Sequence, residues 1–140
     1  MKIVNEKPPV WDSACAAFQI NPKYTIFTYG DTIYNPGNIK VTEDLIAHES
    51  IHMTQQTEVG GPDLWWGKYL RDSEFRVQQE AWAYAAQFAF LCGKHIDRNQ
   101  RVRILMDLAR LLSGPLYAKV VSHADAMKLI QHYSRIQILK

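Results

Sequence analysis

The sequence predicts an α+β domain that is mainly α, with a small N-terminal β-hairpin or sheet followed by a helical core. Three observations lead there. The chain has 140 residues, 47% hydrophobic and 21% charged, enough for one domain with a real core and too ordinary for a disordered, collagen-like or disulfide-dense protein. Runs of β-branched and aromatic residues gather around Gly30-Asp31 and nowhere else. From Thr42 onward the pattern is helical, punctuated by capping residues and Gly or Gly-Pro breaks. No internal repeat, low-complexity tract or long linker interrupts it, so residues 1–140 read as a single domain.

Taken in order, Pro8 and Pro9 introduce a short helix over WDSACAAFQI, closed by Asn21 and Pro22. Residues 24–29 and 32–34, joined through Gly30-Asp31, carry hairpin chemistry and are the only strands the pattern supports. Asn35-Pro36-Gly37-Asn38 breaks the hairpin, and Thr42 then stands as an N-cap before Glu43 and Asp44, whose charges suit the first turn of a helix over about 43–56. Gly60-Gly61-Pro62 stops that helix. Asp63 can cap a short one carrying Leu64, Trp65, Trp66, Tyr69 and Leu70, and Asp72 caps a long one reaching about Cys92, where Gly93 ends it. A helix over about 99–112, a break at Ser113-Gly114-Pro115 and a last helix capped by Ser122 complete the chain.

Charge narrows the function classes. Sixteen basic residues against 14 acidic ones leave a net charge of +2, so nothing prompts a nucleic-acid partner. The N-terminus lacks the apolar run of a secretory signal, and the apolar stretch over 81–92, interrupted by Gln87, is too short to span a bilayer. A cytoplasmic protein with no membrane partner is expected. Cys15 and Cys92 form neither a CxxC pair nor a disulfide framework and read as small buried hydrophobes.

One segment carries chemistry: His48-Glu49-Ser50-Ile51-His52. Histidines at i and i+4 on a helix lie one above the other, so their imidazoles can converge on one tetrahedral Zn²⁺. Glu49 is beside that position but off the histidine axis, free to act as a base on water at the metal. A third protein ligand is needed. Glu80 falls on the stripe of Val77, Ala81, Tyr84, Phe88 and Leu91, and a lone carboxylate on a buried face is costly unless paired, protonated or bound to a cation. The rival readings are an ion pair of Glu80 with Arg76, four residues earlier, and a ligand role for Glu58, six residues after His52. That second spacing normally follows a glycine turn, and here Gln55 stands in the glycine position. Glu74 lies off the stripe and is the weakest of the three.

With Glu80 on a following helix, HESIH resembles the gluzincin branch of the zincin metallopeptidases, and in size the minimal gluzincins. The segment HESIHMTQQ is also similar to the motif helix of zincin-like domains of phages and bacterial secretion systems. The resemblance covers about residues 24–92 and leaves the C-terminal helices, about 99–140, outside it. It implies a zincin-like fold in which His48, His52 and Glu80 bind zinc and Glu49 is the general base. It further implies that an edge strand before the metal helix, 24–29 or 32–34, pairs with an extended peptide; read from the residues alone, the same segment is equally an ordinary hairpin covering a core. The family often has an acidic residue four positions after the ligand Glu, holding a ligand histidine. Here that position is Tyr84.

Other residues have weaker claims. Tyr84, Tyr117 and His123 are candidates for supporting the ligands or donating to an oxyanion. His95 and His132 read as surface histidines, Trp65 and Trp66 as core, and Lys94, Arg98, Arg101 and Arg103 as a solvated helix end. A peptide deformylase shares HExxH, but its third ligand is an upstream Cys in a short motif, and Cys15 has no such surroundings. The expectation is a small intracellular zinc peptidase acting on a peptide or protein substrate. The alternative is a zinc-binding module on the same scaffold that cuts nothing.

Overall fold

The computed structural model describes residues 1–139, with side chains through Gln137. Three short strands, Lys2–Val4 (β1), Phe27–Tyr29 (β2) and Thr32–Tyr34 (β3), form one sheet in the order β1-β3-β2. β2 and β3 make the expected hairpin with Thr28 opposite Ile33, and Gly30 takes a φ of 63° at its turn, a value that an L side chain resists. The hairpin arm is shorter than expected, because Tyr24 N–H and the Thr25 hydroxyl are drawn to the Asn21 carbonyl in a turn before β2 begins. β1 is a correction: no strand was expected there, yet Ile3 pairs in parallel with Ile33. Three residues are too few for an alternating pattern to show, and the partner strand lies far along the chain.

Among the described residues six helices follow the expected order: Trp11–Ala17 (α1), Glu43–Glu58 (α2), Pro62–Arg71 (α3), Ser73–Cys92 (α4), Arg98–Leu112 (α5) and His123–Leu139 (α6), with a 3₁₀ turn at Pro115–Tyr117. The architecture is thus α+β and mainly α. Asp72 accepts from Phe75 N–H, Ser122 from Asp125 N–H, and Asp97 forms a reciprocal capping box with Gln100. Two caps differ from expectation. Thr42 sits at the N-cap of α2 but its hydroxyl donates to Asp44 Oδ1 at 2.5 Å. Gly61 precedes α3 with Pro62 in the first turn, while Asp63 lies inside the helix and accepts from the Tyr29 hydroxyl. α2 runs on to Glu58 until Gly60 and Gly61, at φ of 105° and 129°, turn the chain.

α4 is the central element because it is buried on two adjoining stripes. Val77, Ala81, Tyr84 and Phe88 pack with Leu105, Leu108, Leu112 and Ile130 from α5 and α6 into one core cluster. The neighbouring stripe of Arg76, Glu80, Ala83 and Gln87 is also buried, and Glu80 and Gln87 bond to α2. A second, aromatic cluster joins Ala14, Phe27, Trp65, Trp66 and Tyr69 on the opposite side. The sheet is anchored to this layer through the Thr28 carbonyl, which accepts from both Gln56 Nε2 and Trp66 Nε1. Among the described residues no helix is long and apolar enough to cross a membrane. Both cysteines are free, and Cys15 is exposed where a buried side chain was expected, since α1 buries only Ala14.

Packing predicts a sharp contrast within the C-terminal helices. Ile130 is fully buried, so Ile130→Ala should cost about 2–5 kcal/mol through lost burial and a residual cavity. Leu111 is 56% exposed, and Leu111→Ala should cost less than about 0.5 kcal/mol. Urea unfolding of the two variants beside the wild type measures both.

Candidate metal centre

Between the two core clusters, α2 and α4 bring His48, His52 and Glu80 together, with one ligand-type atom from each lying within 4.8 Å of the others. All three are buried, Glu80 and His52 each only 4% exposed. His48 Nε2 lies 3.1 Å from Glu80 Oε2, and His52 Nε2 lies 3.3 Å from Glu80 Oε1. The i, i+4 spacing puts both imidazoles on one face of α2, edge-to-face with their ring centres 5.0 Å apart. Glu80 reaches them from the edge of the α4 core stripe.

Each member is held from behind. His48 Nδ1–H donates to Gln87 Oε1 at 3.1 Å, and Gln87 Nε2 donates in turn to Asp44 Oδ2 at 2.8 Å. His52 Nδ1–H donates to Gln55 Oε1 at 2.8 Å, and Gln55 Nε2 is fixed on the Gln79 carbonyl. The Tyr69 hydroxyl donates to Glu80 Oε1 at 2.7 Å. Amide oxygens behind both rings commit the Nδ1 protons outward and leave both Nε2 atoms facing the carboxylate. A bare Nε2 and a carboxylate oxygen are both acceptors, so a proton or a cation has to lie between them.

Electrostatics follow from that count. Burial pushes the His52 imidazolium down, but the Glu80 carboxylate outweighs it and lifts its pKa from 6.5 to about 9. Burial likewise pushes Glu80 up, and the two histidines reverse this to hold it well below the usual carboxylate range. Burial and then the Glu80 charge raise Tyr69, Tyr84 and Tyr117, which stay neutral donors. A divalent cation on both Nε2 atoms and the carboxylate would take the place of the protons. Two imidazoles and a carboxylate with an open position form a donor set that zinc accepts.

Glu49 lies outside the cluster of three, as its offset on α2 predicts. It is 6% exposed, faces the same cavity and accepts from the Thr28 hydroxyl at 2.6 Å through Oε2. The cavity, about 260 Å³, also takes Trp65, Trp66, Tyr84 and Tyr117 in its walls. The tryptophans are therefore core and cavity wall at once. The hydroxyls of Tyr84 and Tyr117 share a hydrogen bond of 3.2 Å, and the Tyr84 ring stands edge-on to His48. His123 is not brought to the cavity. Its Nε2–H donates to the Met106 carbonyl, on the flank of α5.

The rival ligands separate cleanly. Glu58 and Glu74 are exposed. Arg76 makes no pair with Glu80, because its guanidinium donates to the Tyr69 and Leu70 carbonyls at the end of α3 and packs on Phe18. The position four residues after Glu80 supplies no hydrogen bond to a histidine. Gln87, seven residues after Glu80, does so, with the Asp44 carboxylate behind it. Gln87 left a signal in the sequence, the one polar interruption of an apolar stretch. Gln55 and Tyr69 left none.

The edge-strand expectation is corrected in part. β3 is the central strand and offers no edge. β2 is an edge strand, but one amide, that of Gln56 on α2, accepts from Gly30 N–H and donates to the Thr28 carbonyl. It closes the edge there as a neighbouring strand would.

No protein family, curated protein or solved structure matches the chain.

These positions predict a rank order of zinc affinity, read by competition with a chromogenic chelator. Gln87→Leu, which frees the His48 ring, should weaken binding about 10–100-fold. Glu80→Gln should weaken it further still, and Glu58→Gln and Glu74→Gln should leave it unchanged.

Proposed function

We propose that the chain is a small zinc-dependent peptidase with a zincin-like site, in which His48, His52 and Glu80 hold the metal and Glu49 is the general base. The observation that carries this reading is the convergence of the three buried ligand atoms beside a fourth group, Glu49, that faces the same cavity without joining them. A structural site has no use for such a carboxylate.

When bound, zinc acts as a Lewis acid toward a carbonyl and toward water. The rest falls to the protein. Thr28 donates to Glu49 Oε2, which fixes the side chain while Oε1 remains available to take the proton of the attacking water and pass it to the departing amine. Gln87 and Gln55 keep the Nδ1 protons engaged, so that Nε2 of each ring stays a donor of electrons to the cation. The paired hydroxyls of Tyr84 and Tyr117 provide an O–H in the cavity wall for negative charge developing on the substrate oxygen. The aromatic walls exclude bulk water and strengthen each of these interactions.

Glu49→Gln removes a charge and a base while keeping the shape and the acceptor for Thr28. Its zinc content and urea midpoint should match the wild type, and its turnover of an unstructured protein should fall by about two to four orders of magnitude. Equal turnover in both proteins would assign the cleavage to a contaminant. Zinc binding without any cleavage by the wild type would favour the non-cutting scaffold.

A further inference from the structure

Three large apolar side chains stand at the mouth of the cavity with much of their surface in water. Tyr24 is 74% exposed, Leu111 56% and Leu116 46%, yet each also lines the cavity that holds the candidate centre. None belongs to either core cluster. Single exposed apolar residues are common on any protein. Convergence of three on one opening, from the turn before β2, the end of α5 and the 3₁₀ turn, marks a surface that a ligand would cover.

The charges of the cavity point to what that ligand is. Among the described residues, the ionisable acidic and basic side chains lining it are His48, Glu49, His52 and Glu80, and every one already has a partner. No lysine or arginine lines it to meet a terminal carboxylate. Glu49 is the one acid there with no histidine or cation beside it, and in the peptidase reading its free oxygen serves the attacking water and not a terminal ammonium. A carboxylate drawn into this opening would lose water and find no lysine or arginine, and an ammonium would find only Glu49, the base that cleavage needs. Backbone pairing gives little help with selection, because the Gln56 amide already occupies the Thr28 carbonyl and Gly30 N–H of the β2 edge. Discrimination is left to side chains.

We infer that the cleft takes an internal, uncharged, apolar stretch of extended polypeptide, and that Leu111 and Leu116 are the residues that select it. This deepens the peptidase reading and rests on it for the cleavage, but not for the binding. It also gives the C-terminal helices, which lie outside the gluzincin resemblance, a share in the site. The substrate's apolar side chain would cover Leu111 and Leu116 while its peptide group lies against the wall that carries Glu49.

The test uses short N-acetylated, C-amidated peptides with Leu, Phe, Asp or Lys at the centre, together with the Leu peptide bearing free termini. Binding is measured calorimetrically on the zinc-loaded Glu49→Gln protein and cleavage on the wild type. The Leu and Phe peptides should bind at least about tenfold more tightly than the Asp and Lys peptides, the order of discrimination an apolar subsite gives. Freeing the termini should bring no gain. A Leu111→Ser, Leu116→Ser double variant should lose about tenfold on the Leu peptide while keeping its zinc and its urea midpoint. Three outcomes would each overturn the inference: no peptide binding at all, charged peptides binding as well as apolar ones, or a double variant that binds the Leu peptide like the parent. Apolar-selective binding without wild-type cleavage would remove the peptidase reading and leave the inference standing. Cleavage without that selectivity would do the reverse.

Discussion

The carboxylate of Glu80 sits where the two hydrophobic clusters of this protein meet, 4% exposed, and most of the surrounding polar structure serves to keep it there. Burying an isolated carboxylate costs several kcal/mol at least. Tyr69 approaches one oxygen with a hydroxyl, and the two histidines of α2 approach both. Those histidines are themselves braced by Gln87 and Gln55. Arg76, which could have neutralised Glu80 from the same helix, instead holds the end of α3 through the Tyr69 and Leu70 carbonyls and so fixes the helix that carries Tyr69. The positive charge that balances Glu80 must therefore come from protons on the imidazoles or from a bound cation.

Such a network explains why α4 is central. Its apolar stripe binds α5 and α6, while the adjoining polar stripe binds α2. Helix periodicity made the first stripe visible in the sequence and placed Glu80 on it, whereas Glu80 lies on the adjoining stripe that faces α2. The i, i+4 histidines and the offset Glu49 were legible for the same reason, since helix geometry alone decides which of them share a face. Gly30 and the Gly60-Gly61 pair were legible because the backbone there needs positive φ.

What the sequence did not reveal depends on contacts between elements distant in the chain. β1 is three residues long and draws its pairing from Thr32–Tyr34. Gln55 and Gln56 look alike as letters, yet one fixes the His52 ring and the other closes a strand edge. Local pattern cannot separate these roles, because an amide's function is set by what faces it. Asp63 shows the same limit: its capping chemistry was sound, but Gly61 and Pro62 start the helix and leave its carboxylate to Tyr29. His123 likewise spends its ring nitrogen on Met106.

The central claim is that a cation, and not a set of protons, is the resident counter-charge of Glu80. Metal analysis of the purified chain tests that claim directly, after dialysis against metal-free buffer without chelator, then again after chelator stripping and reconstitution. The buried, braced donor set predicts about one zinc ion per chain, retained through dialysis and restored after stripping. Zinc far below one equivalent, with no uptake on reconstitution by a folded protein, would contradict the account and leave His48, His52 and Glu80 as a buried ion-pair cluster.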